Sequence, residues 1–62
     1  MAEVAATLMR DFGRALPASV VTHVVLQARR DLAGQVLDGA FPEMLQRLSH
    51  IRLTQLQLEL TA

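Results

Sequence analysis

The chain predicts an all-α fold, a small three-helix bundle with a longer third helix, and three observations lead there. Apolar residues recur at roughly the 3.6-residue helical period in three separate segments. Pro17 and Pro42 stand where two of those segments begin, and a proline suits a first helical turn because the N–H it lacks would have no partner there. Between the second and third segments lie Gly34 and the pair Asp38-Gly39, which read as a helix stop and a turn.

The first helix is expected over about residues 3–15. Advancing about 100° per residue gathers Val4, Ala5, Leu8, Met9, Phe12, Ala15 and Leu16 on one half of the wheel, with Glu3, Thr7, Arg10 and Arg14 on the other. Pro17 disfavours helical geometry at Leu16, so the break falls near residue 16. The second helix, about 17–33, collects Val20, Val21, Val24, Val25, Ala28 and Leu32 into one arc opposite Thr22, His23, Arg29 and Arg30. Valine lowers helix propensity, but "VVTHVV" repeats at a spacing of four and fails to alternate by two, which favours helix over strand. Ser19 is expected to satisfy backbone groups at the start of this helix.

The third helix, about 41–60, would run for about 30 Å and should overhang its shorter neighbours. Its apolar residues form two stripes. One holds Phe41, Met44, Leu48, Ile51 and Leu58, with Gln55 in the gap; the other holds Leu45, Leu53, Leu56 and Leu60, with Ser49 in line. Together they exceed the single face a bundle helix needs. The favoured reading gives the second stripe to a partner, with Leu53, Leu56 and Leu60 at an isologous contact between two copies, joined by Leu26 from the polar side of the second helix. The alternative wraps that stripe under the first two helices and leaves Leu58 and Leu60 in solvent. Leu8, Phe12, Val20, Val24, Leu45 and Leu48 are expected among the least accessible residues.

Sixty-two residues make one domain, and a chain this short buries only roughly 60% of its unfolded surface, so association is a plausible source of added stability. It has no cysteine, hence no disulfide, thiolate nucleophile or zinc–thiolate site. An apolar fraction of 52% is too high for a disordered tail. The opening "MAEVAATLMRDF" reads as neither a signal peptide nor a membrane span, so no membrane partner is expected and the cytoplasm is the expected compartment. All six basic residues are arginine, as a GC-rich coding sequence would favour.

Little in the chain points to catalysis. His23 and His50 lie on the polar sides of different helices without carboxylates at a metal-supporting spacing, so neither metal nor other cofactor is expected. Ser19 and His23 share a helix face, but no acid stands where it could orient the imidazole and no oxyanion hole is visible. Arg29 and Arg30, with Arg10, Arg14, Arg47 and Arg52 elsewhere, raise a second reading as a small nucleic-acid-binding regulator of helix-turn-helix type. Six arginines balanced by six acids leave no basic face to displace counterions, which argues against it. Salt-dependent retention on DNA would separate the two readings.

The order "LMRDFGRALPASVVTHVV", "DLAGQV" and "FPEMLQRLSHIRL" resembles the small three-helix domain that precedes the catalytic domain in actinobacterial arsenate reductases and low-molecular-weight protein tyrosine phosphatase-like proteins. The likeness spans about residues 4–56. Phe12 and Gly13 match an aromatic and a glycine closing the first helix; Pro17 and Val20 match the opening of the second; Phe41, Pro42, Met44 and Arg47 match that of the third. Leu16 departs from the pattern, standing where a capping serine is expected. The resemblance implies the fold and an accessory, non-catalytic role, since no cysteine is present to inherit the catalytic nucleophile. A free-standing copy of such a domain reads as a protein-interaction or dimerisation module, with the chain itself or another protein as partner.

Overall fold

A computed structural model describes residues 2–35 and 38–61. Three helices, α1 (Ala2–Phe12), α2 (Ala18–Leu32) and α3 (Phe41–Thr61), form a bundle, with a short 3-10 turn at Asp38–Ala40 leading into α3. No strand occurs among the described residues. The expected all-α architecture with a longer third helix is the one observed.

α1 stops at Phe12, about three residues short of the sequence expectation. Gly13 N–H still donates to Met9 O at 2.8 Å, after which Ala15 and Leu16 both donate to Phe12 O, so the chain tightens into a turn. A Cβ on Gly13 would lie 2.3 Å from Met9 O, which makes this turn a glycine's place. Leu16, held out of helical geometry by the following proline, drops into the core at 2% exposure.

Pro17 is the residue before α2, with an extended backbone (φ −60°, ψ 149°), and its carbonyl accepts from Val20 and Val21. No side chain caps this end, so the expected capping role of Ser19 is not observed. Ser19 is already the second residue of the helix, past the position from which a hydroxyl reaches free N–H groups. At the other end Gly34 adopts φ 79°, a left-handed conformation that costs a residue with Cβ about 1–2 kcal/mol. Gln35 N–H then donates to Leu32 O at 3.0 Å. Pro42 sits in the first turn of α3, where its missing N–H leaves no intrahelical bond unmade.

The core is built from Val4, Leu8, Phe12 and Leu16, from Val21, Val24, Val25 and Ala28 of α2, and from Leu45 and Leu53 of α3. Of the six residues expected to be least accessible, Leu8, Phe12, Val24 and Leu45 are buried; Val20 and Leu48 pack against the core only in part. α2 and α3 run antiparallel. Asp31, near the end of α2, pairs with Arg52 at 2.7 Å, while His23 and Gln27, earlier in α2, border Gln55 and Glu59 further along α3. α3 is about 31 Å long by its residue count and accounts for most of the molecule's 35 Å extent.

Ser49 is the buried polar side chain of this core, fully enclosed on α3 between Leu45 and Leu53, and its hydroxyl has no hydrogen-bond partner among the described residues. Desolvating an unpaired hydroxyl destabilises the fold, and alanine is also the better helix former. Ser49→Ala should therefore raise stability by about 1 kcal/mol. Urea denaturation checks this: the midpoint should rise at an unchanged slope, whereas a lower midpoint would show that the hydroxyl has a partner in solution.

Candidate interaction surface

α3 presents a solvent-facing apolar row. Met44, Ile51 and Leu58 are exposed by 38%, 53% and 62%, and they recur at intervals of seven residues. Half-buried Leu48 and exposed Gln55 complete the row on the side nearer α2. Arg47 lies beside it, paired with Glu43 at 3.8 Å; both side chains are well exposed, so this pair adds little stability.

This arrangement corrects the assignment of the two α3 stripes. Leu53, expected at a contact between copies, is fully buried within a single copy. Leu56 is half-buried against the same core, and Ser49 and Leu45 complete that stripe. The alternative reading, in which the second stripe wraps under α1 and α2, therefore describes these four residues. Leu60 continues the stripe in sequence but is 68% exposed, beyond the reach of the buried core residues. Leu26 is exposed and is absent from the cleft where His23, Val24 and Gln27 of α2 border α3, so it does not join the α3 row.

The physical reason lies in how each spacing travels around a helix. A step of four advances about 40° and a step of three falls back about 60°, so Leu45, Ser49, Leu53 and Leu56 stay within one arc. A step of seven falls back about 20° each time. Phe41 and Leu48 consequently sit at the core's edge, while Met44, Ile51 and Leu58 lie outside it and rotate further from it along the helix. The seven-residue interval was the sequence signal for this exposed row, and a wheel divided only into two stripes conceals it.

The polar residues considered for chemistry are dispersed. His50 packs its ring edge-on to Phe12, with centroids 5.2 Å apart, and lines an open cleft with Glu43, Gln46, Arg47 and Ile51. His23 borders a second cleft, whose polar rim is Gln27, Arg52, Gln55 and Glu59. Among the described residues no three His, Asp or Glu side chains are grouped to hold a metal ion, and no hydrogen bond links Ser19 to His23. No described helix is long and apolar enough to cross a membrane. No protein-family model, curated protein or solved structure matches the chain.

Proposed function

We propose that this chain is a non-catalytic helical module that associates with a second copy of itself through the outer face of α3. The observation carrying this reading is the exposed row Met44, Ile51 and Leu58, whose seven-residue interval is the repeat of a helix-to-helix seam. The resemblance of residues 4–56 to an accessory domain points the same way.

The helix-turn-helix reading has less support. Arg47 and Arg52, two of the six arginines, are engaged with carboxylates, and the net charge is zero. The connection between α2 and α3 spans residues 33–40, longer than the three- or four-residue turn of that motif.

Because the three row residues are already partly covered, burying the rest should yield about half of the usual 1.5–3 kcal/mol each, or about 5–9 kcal/mol from two copies. Against an association cost of at least about 4 kcal/mol, the upper end of that gain leaves about 5 kcal/mol, so a weak dimer with a Kd of hundreds of micromolar is expected. Sedimentation equilibrium from about 10 μM to roughly 1 mM should show the mass rising towards twice the monomer's. Ile51→Glu combined with Leu58→Glu should remain helical by circular dichroism and monomeric throughout. A parent protein that stays monomeric over the whole range would overturn the proposal.

A further inference from the structure

We draw no further inference here: the strongest candidate, the open cleft between α2 and α3 rimmed by His23, Gln27, Arg52, Gln55 and Glu59, selects no ligand, because Arg52 is already held by Asp31 at 2.7 Å and the other ionisable groups of its rim lie in solvent.

Discussion

Leu53→Glu is expected to unfold the chain, whereas Ile51→Glu, two residues away on the same helix, is expected to leave it folded. Leu53 is fully enclosed in the α1–α2–α3 core, and no described cation stands within that cluster to receive a carboxylate. An ionised group there forfeits its hydration, a penalty of several kcal/mol, and the leucine's own burial is lost as well. A domain of this length has only about 3–9 kcal/mol of stability in total. Ile51 is 53% exposed, so glutamate there keeps its water. Circular dichroism of the two variants gives the comparison. Retained helicity in Leu53→Glu would return Leu53 to the surface and reverse the assignment of the two α3 stripes.

Phe12→Ala should cost about 3–5 kcal/mol, the usual range for removing a buried aromatic ring, and bring the thermal transition down to or below room temperature. Phe12 is 6% exposed and serves two local purposes. Its ring packs in the core and meets the edge of His50 from α3, while its carbonyl accepts from both Ala15 and Leu16 in the turn that ends α1. The backbone bonds survive truncation, so the loss should come from the cavity and the missing ring contact. Phe12→Leu, which refills much of the volume, should recover more than half of the lost stability. Calorimetric melting of the three proteins measures the series, and an unchanged transition in Phe12→Ala would remove this residue from the core.

The three helices were legible because the information that makes them is local. Val4, Leu8 and Phe12 repeat every four residues, as do Val21, Val25 and the neighbouring pair Val24 and Ala28; such spacing describes a helical face whatever lies against it. Pro17, Gly34 and Pro42 mark boundaries through their own backbone geometry, which is why the helix ends fell within one to three residues of expectation. The end of α1 was the least legible. It depends on Leu16 being drawn into a core formed by other elements, and the tight turn at Gly13 follows from that.

Which face of α3 the rest of the chain would cover could not be read from α3 alone. A helical wheel determines the angles between residues of one helix, and on that measure Leu45–Leu53 and Met44–Ile51–Leu58 are comparable apolar stripes. The choice is made by the docking of α1 and α2, which together cover the arc from Phe41 and Leu48 round to Leu53 and leave Met44, Ile51 and Leu58 outside it. That docking maximises contact summed over three elements far apart in sequence. The chain by itself thus determined how many helices form, where they break and that α3 carries more apolar surface than one face requires. Only the tertiary structure decided which leucines are core, that Ser49 is desolvated and that the excess is the seven-residue row, because burial is set by contacts between helices and not by the periodicity within one.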